Sequence, residues 1–214
     1  MYSKKPIVIA EIGGNHKGDL EIAKQMILMA KAYCGADIVK FQKRCNKELL
    51  SPEEYAAPHP NLAHSYGDTY GAHREFLEFS AKQHAELKKY CEEVGIEYLT
   101  SVWDVTSSKE IAALKPKKIK IPSACNLCFD ILEYLAKNFK GEIHISLGMT
   151  KKGEEKKIVD FMVKMKRGKD TVLYACTSGY PVEFDDVCLL EIERLKKMYG
   201  KKVKAIGFSG HHNG

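Results

Sequence analysis

The chain has 214 residues, of which 44% are hydrophobic and 29% charged, with a net charge of +6. This is single-domain length and ordinary globular composition, which excludes disordered, collagen-like and low-complexity classes. Apolar runs such as Ile7 to Ala10 last only a few residues, against the ~20 that cross a bilayer. No signal-peptide-like segment follows Met1-Tyr2-Ser3-Lys4-Lys5-Pro6, so a cytoplasmic protein with no membrane partner is expected.

Seven β-rich runs alternate with helical patterns: 7–12, 37–42, 97–102, 118–122, 142–147, 171–176 and 203–208. Most are apolar at nearly every position, as strands buried on both faces must be. Asp19 is placed to cap a first helix with Ile22, Met26, Met29, Ala30 and Tyr33 on one face. A Pro/His/Tyr/Gly-rich loop is expected over 43–72. Phe76, Phe79, Leu87, Tyr90, Cys91 and Val94 then mark one helix closed by Gly95. Ser107-x-x-Glu110 reads as a capping box, with Pro116 as a stop. Three more helices are marked by Ile131, Leu132 and Leu135, by Ile158, Phe161, Met162 and Met165, and by Leu189, Ile192 and Leu195, the last ending near Gly200. The βα period of ~20–30 residues fits a parallel barrel or a doubly wound sheet. Gly13-Gly14-Asn15-His16-Lys17-Gly18 does not satisfy the Gly-rich phosphate turn of the latter, so the reading is α/β, a TIM (β/α)8-type barrel with seven of eight strands in the chain.

Of 34 basic residues only Arg44, Arg74, Arg167 and Arg194 are arginine, and the lysines fall on polar helix faces. That reads as solvated surface, with no nucleic-acid partner. Seven cysteines cannot all pair within a chain. Cys125-x-x-Cys128 lacks a second ligand pair, so free thiols are expected in preference to a zinc or redox site.

Barrel active sites are built at the C-terminal ends of the strands. Each of the seven runs finishes in polar or ionisable residues: Glu11, Asn15 and His16; Lys40 and Gln42; Ser101 and Asp104; Lys120 and Ser123; Ser146; Thr177, Ser178 and Tyr180; Ser209, His211 and His212. Lys40 and Lys120 are flanked by apolar residues, and a buried ammonium needs an anion. An internal pair of Lys40 with Glu11 is one solution. Two such lysines with hydroxyls of Ser101, Ser123, Ser146 and Ser209 point instead to a phosphate or carboxylate ligand. Adjacent histidines on extended chain face opposite ways, so at most one of His211 and His212 faces the site, where with Glu11 it could hold a divalent ion. His59, His64, His73 and His84 are expected at the surface or as caps, and His144 as a satisfied core residue.

The motifs AEIGGNH (10–16), VKFQ (39–42), KIPSA (120–124), SLGM (146–149), CTSGYP (176–181) with Asp186-Val187, and GFSGH (207–211) together resemble the N-acetylneuraminate (sialic acid) synthases, phosphoenolpyruvate-dependent enzymes with a TIM-barrel catalytic domain. The resemblance implies a transferase of sialic acid or related nonulosonate biosynthesis. Lys40, Ser101, Lys120, Ser123, Ser146, Ser178 and Ser209 would hold phosphoenolpyruvate, and Glu11 would sit beside the reacting carbons. Gln42 and Tyr180 would contact an amino-sugar acceptor such as N-acetylmannosamine, and His211 would ligate Mn²⁺ or Mg²⁺. The family pattern departs at Ser101-Val102-Trp103-Asp104, at Ser178 and at Ser209-Gly210-His211-His212, as in a subgroup. The resemblance also implies a second metal histidine on an eighth strand, a C-terminal antifreeze-like domain and a homodimer in the full-length protein. The 214 residues therefore read as a barrel domain cut before strand eight, with exposed strand edges that favour poor solubility or partner pairing. Alternatives are another phosphoenolpyruvate aldol-type synthase acting on a sugar phosphate, for which the sequence displays no additional basic cluster, and a non-catalytic phosphate-binding barrel fragment.

Overall fold

A computed structural model describes residues 5–213; the chain start at 1–4 and the ending at Gly214 lie outside the described residues. The chain divides into two compact units, Met1–Pro116 and Lys117–Gly214. The first carries β1 (Ile9–Gly13), α1 (Leu20–Ala32), β2 (Ile38–Lys43), α2 (Asn46–Leu49), α3 (Pro52–Ala56), α4 (Tyr70–Leu77), α5 (Ala81–Val94), β3 (Glu97–Val102) and α6 (Val105–Ala113). β1 pairs in parallel with β2, and β2 with β3, with Glu11 opposite Lys40 and Gln42 opposite Ser101. The second unit carries β4 (Lys118–Ile121), α7 (Phe129–Asn138), β5 (Glu142–Ser146), α8 (Glu154–Lys164), β6 (Thr171–Cys176), α9 (Glu191–Tyr199) and β7 (Ala205–Ser209). Its strands are also parallel and pair in chain order. Sequential pairing without reversal is the order of a β/α barrel, not of a doubly wound sheet.

All seven expected strands form, within two residues of the expected limits. β2, β4 and β6 are buried at nearly every residue, as two covered faces require. β7, at the edge of its unit's sheet, is only half-buried.

Several helix expectations change. Asp19 caps α1 as read, accepting from the backbone N–H of Glu21 and Ile22. The face turned inward, however, is Ala23, Ile27 and Ala30, while Met29 and Tyr33 are exposed. Small alanines let the helix lie close against its neighbours, and the large side chains sit one residue round the cylinder. The stretch 43–72 is a run of short helices. The single helix expected after it is two: Phe76 belongs to α4, and α5 starts at a Ser80–Gln83 capping box and ends at Gly95, whose φ of +76° closes the helix without a Cβ penalty. The cap of α6 is Asp104, not Ser107: the Asp104 carboxylate accepts from the Ser107 backbone N–H (2.6 Å) and hydroxyl (2.7 Å), and Ser107 is buried. α7 buries Ile131, Leu132 and Leu135 as expected. α8 buries Val159 where Phe161 was expected, and α9 buries Leu195 and Tyr199 while Leu189 precedes it, exposed. All seven cysteines are free thiols, with Cys125 buried and Cys128 exposed. No helix among the described residues is long and apolar enough to cross a membrane.

Candidate active site

Each unit gathers part of the expected set at its strand ends. In the first, β1 and β2 lie in register, so Glu11 and Lys40 are neighbours and form an ion pair. Lys40 is buried, and its Nζ also donates to Ser101 Oγ at 3.0 Å on β3. Gln42 is on the same face of β2 two residues on. Its Nε2 donates to Glu11 Oε1 at 2.8 Å, and its Oε1 accepts from Trp103 Nε1 at 2.8 Å. Both Glu11 oxygens are therefore engaged, by an ammonium and an amide. Trp103 orients that amide, a role the sequence reading did not give it. The internal pair of Lys40 with Glu11 is present, and with the Gln42 amide it holds the carboxylate in place.

In the second unit, buried Lys120 donates to Ser209 Oγ at 3.2 Å and lies 4.7 Å from the centre of the Tyr174 ring. Ser123 donates to Cys176 Sγ at 3.6 Å, and Cys176 Sγ is 3.9 Å from Ser178 Oγ. These hydroxyls crowd Gly148: a Cβ there would stand 2.2 Å from Ser178 Oγ and 2.6 Å from Ser123 Oγ. Buried Asn126 braces the turn, donating to the carbonyls of Ser146 and Gly148, both at 2.9 Å. Asn126 is a supporting residue the sequence reading missed, because nothing in its neighbourhood marks it as more than a loop amide. Lys120, Ser123, Ser178 and Ser209, with Ser146 buried at the end of β5, make a cluster of N–H and O–H donors with one fixed positive charge. That chemistry suits an oxyanion.

His144 is the satisfied core residue expected. Burial holds its pKa below the ordinary histidine value, so the ring is neutral. Its Nδ1 then accepts from Tyr174 Oη at 2.7 Å, while Nε2 faces Glu142 at 3.4 Å. His84 differs from expectation. It is wholly buried, bonded to Tyr98 Oη at 2.8 Å, and its pKa is lowered to about 3 by burial.

The metal expectation rests on His211. Its Nε2 is 3.3 Å from Tyr180 Oη, and the two rings lie 4.3 Å apart. Among the described residues no group of three His, Cys, Asp or Glu side chains comes together in a way that could hold a metal ion. These residues alone thus fall short of a divalent-ion site.

A second feature of the first unit lies beyond β2. Gly13, Gly14, His16, Gln42, Arg44, His59, Tyr70, His73, Arg74, Leu77 and Glu78 line a cavity of about 250 Å³. Two of the chain's four arginines and two of the histidines assigned to the surface meet here. The basic cluster that sequence reading did not find is present, assembled from residues up to 30 positions apart.

The NeuB family model matches residues 26–214. The chain belongs to the NeuB family. It is 37% identical over 97% of its length to the human N-acetylneuraminate-9-phosphate synthase, covering 56% of that protein. It is 34% identical over 99% of its length to the N,N'-diacetyllegionaminic acid synthase of Campylobacter jejuni, covering 62% of it. The NeuB chain therefore spans little more than half the length of these curated relatives. The crystal structure of an N-acetylneuraminic acid synthetase from Leptospira borgpetersenii, in complex with citrate, superposes with a TM-score of 0.81 at 27% identity, over 98% of this chain and 67% of that one. The fold is accordingly α/β of the TIM-barrel type, with seven parallel strands among the described residues.

Proposed function

We propose that this NeuB-family chain carries the catalytic domain of an enzyme that condenses phosphoenolpyruvate with a 2-acetamido-hexose, forming a nonulosonate of the sialic acid type and releasing inorganic phosphate. The observation that carries the reading is the donor set of the second unit: buried Lys120 bonded to the Ser209 hydroxyl, and the Ser123 and Ser178 hydroxyls set so close about Gly148 that a Cβ there would clash with both. Lys120, Ser123, Ser146, Ser178 and Ser209 take the phosphate and carboxylate of phosphoenolpyruvate. Lys40 and Ser101 offer the same ammonium-plus-hydroxyl chemistry in the first unit. Gln42 and Tyr180 take polar groups of the acceptor.

The bonds follow from the substrates. The π pair of phosphoenolpyruvate forms a bond from C3 to the aldehyde carbon of the open-chain acceptor, and the aldehyde oxygen becomes a hydroxyl by taking a proton. Water adds at C2 and gives up a proton, for which the fixed carboxylate of Glu11 is the acceptor. The C2–O bond to phosphate then breaks with its electron pair as the new C2 hydroxyl gives its proton to the departing phosphate, leaving a 2-keto acid, and the proton taken by Glu11 balances the one taken up by the aldehyde oxygen. Positive charge developing at C2 is stabilised by Glu11, and negative charge on the departing phosphate by lysine and serine donors preorganised before the reaction. His211 is the residue of this chain that would contribute to holding a Mn²⁺ or Mg²⁺ ion, and such an ion would supply Lewis-acid chemistry.

The test is phosphate release from phosphoenolpyruvate in the presence of Mn²⁺, with N-acetylmannosamine and other 2-acetamido-hexoses, free and phosphorylated, as acceptors. Acceptor-dependent release is expected. Its absence with every acceptor overturns the reading.

A further inference from the structure

We infer that Tyr174 is a positioning residue of the anion site: its ring, fixed through buried His144 and through Glu142, holds the Lys120 ammonium in place for phosphoenolpyruvate. The inference rests on the role given to Lys120 above, and adds to it three residues that act through the lysine.

The sheet register brings the group together. Lys120 on β4 stands opposite His144 on β5, Ser146 opposite Tyr174 on β6, and Tyr174 opposite Gly207 on β7. Side chains two apart on a strand share a face, as His144 does with Ser146 and Gly207 with Ser209. Lys120, His144, Tyr174 and Ser209 therefore project from one face of the second unit's sheet.

The Tyr174 ring is held at several points. Its backbone carbonyl accepts the Leu147 N–H at 3.0 Å. Its Oη lies 2.7 Å from His144 Nδ1. Burial raises the phenol pKa and lowers that of His144, so the phenol keeps its proton and donates it to a neutral imidazole. The imidazole proton is then on Nε2, which faces Glu142 Oε2 at 3.4 Å. Glu142 is the ionised end of the series. The His144 contact first, and then Lys204 and Lys118, lower its pKa to about 2. Lys204 Nζ donates to Glu142 Oε1 at 2.9 Å, and Lys118 Nζ is 3.9 Å from the same oxygen. Gly207 makes room for the edge of the ring: a Cβ there would stand 2.7 Å from Tyr174 Cε1 and 2.9 Å from Cδ1. Packing alone would be served by leucine at 144 and phenylalanine at 174. A phenol and an imidazole in series, ending at a carboxylate, cost desolvation and give orientation.

The ring in turn meets the lysine. Lys120 has a flexible four-carbon stem and three N–H donors, of which Ser209 Oγ takes one at 3.2 Å. The centre of the Tyr174 ring is 4.7 Å from Nζ, inside the ~6 Å over which an aromatic face attracts a cation. A ring face attracts the ammonium while carrying no net charge of its own, so it steadies the group without neutralising it. Lys40, by contrast, is held by the carboxylate of Glu11. The phenol's donation to His144 leaves more electron density on the ring and strengthens the attraction.

The test changes the electrons of the ring with little change in its shape. Tyr174 is replaced by phenylalanine and by phenylalanines with one, two and three ring fluorines, and the 214-residue chain is titrated calorimetrically with phosphoenolpyruvate and with inorganic phosphate. Affinity for phosphoenolpyruvate is expected to fall stepwise with each fluorine, by about 10- to 30-fold across the series, and Tyr174→Leu to lose about as much. His144→Leu should weaken binding about threefold, and His144→Gln, which keeps an acceptor and an N–H, should recover most of that. Where Tyr174→Leu fails to fold, the fluorinated series decides. Wild-type affinity throughout that series overturns the inference and leaves the condensation reading standing. Unchanged affinity in a folded His144→Leu protein overturns the part given to His144 and Glu142. A stepwise loss of affinity in a protein that releases no phosphate with any acceptor supports the inference and overturns the condensation. A wild-type chain that binds neither phosphoenolpyruvate nor phosphate overturns both.

Discussion

Replacing Gly148 by alanine asks whether the second unit's hydroxyl cluster is an oxyanion cradle. The backbone at Gly148 lies outside the left-handed region, so alanine adds no dihedral strain and acts only through its methyl group. That methyl would stand 2.2 Å from Ser178 Oγ and 2.6 Å from Ser123 Oγ, short of the 3.4 Å of an ordinary contact by about 1.2 and 0.8 Å. Both hydroxyls must swing to other rotamers. Ser178 is exposed and Ser123 half-buried, so the swing costs the fold only about 1 kcal/mol. It removes two donors aimed at an anion, each worth roughly 1.5–3 kcal/mol when the acceptor is charged. The expected loss is about 3–6 kcal/mol of phosphoenolpyruvate affinity, on the order of 10² to 10⁴ in Kd. Calorimetric titration with phosphoenolpyruvate measures the affinity, and a circular-dichroism melt checks the fold. A variant that melts with the wild-type protein and binds phosphoenolpyruvate within threefold of it refutes the assignment of the cradle.

Trp103→Phe removes the donor that orients Gln42 and should raise KM for the acceptor about fivefold to tenfold with a smaller change in kcat, read in the phosphate-release assay. His16 is 3% exposed, its pKa lowered to about 4 by burial, and it must be neutral in the folded chain. The unfolded chain binds that proton near pH 6.5, so this contribution of about 3 kcal/mol is fully present above 6.5 and is lost as pH falls towards 4. His16→Asn keeps an acceptor for the Gly18 N–H and should flatten the stability slope between pH 4 and 6.5 in urea titrations; an unchanged slope counts against it. Arg167 Nη1 and Nη2 donate to the carbonyls of Ala136 (3.1 Å), in the last turn of α7, and Gly141 (2.7 Å), just beyond it, and Nη1 also to that of Phe139. Arg167→Ala should cost about 2–4 kcal/mol of unfolding free energy, and Arg167→Lys, lacking the planar fork, should recover less than half of it.

The strands were legible because burial on both faces leaves an unbroken apolar run, and their polar ends were legible because those runs stop abruptly. Lys40 and Glu11 could be paired from sequence alone, since parallel β1 and β2 put equivalent ends side by side. What escaped depended on geometry that no local pattern carries. The inward face of α1 is set by how close the helix must lie to its neighbours, which favours Ala23 and Ala30 over larger residues nearby. Ser107 and Asp104 compete for one cap, and the winner is the residue whose carboxylate also accepts the Cys45 backbone N–H at 2.7 Å, a contact 59 positions distant. Arg44 and Arg74 looked like ordinary surface charges, because neither lies in a basic run. Only the path of α2–α4 brings them together.

That path separates two kinds of change in the protein's history. Lys40 and Gln42 stand on a core strand, where a one-residue slip would turn both to the opposite face of the sheet. His59, Tyr70, His73, Arg74, Leu77 and Glu78, by contrast, belong to the excursion between β2 and β3, outside the repeating strands. Mutation can rebuild this wall, by substitution or by insertion, without touching the groups assigned to bond making. A lineage can thus trade one sugar for another while inheriting its chemistry unaltered, and residues 45–78 are where such divergence should accumulate first.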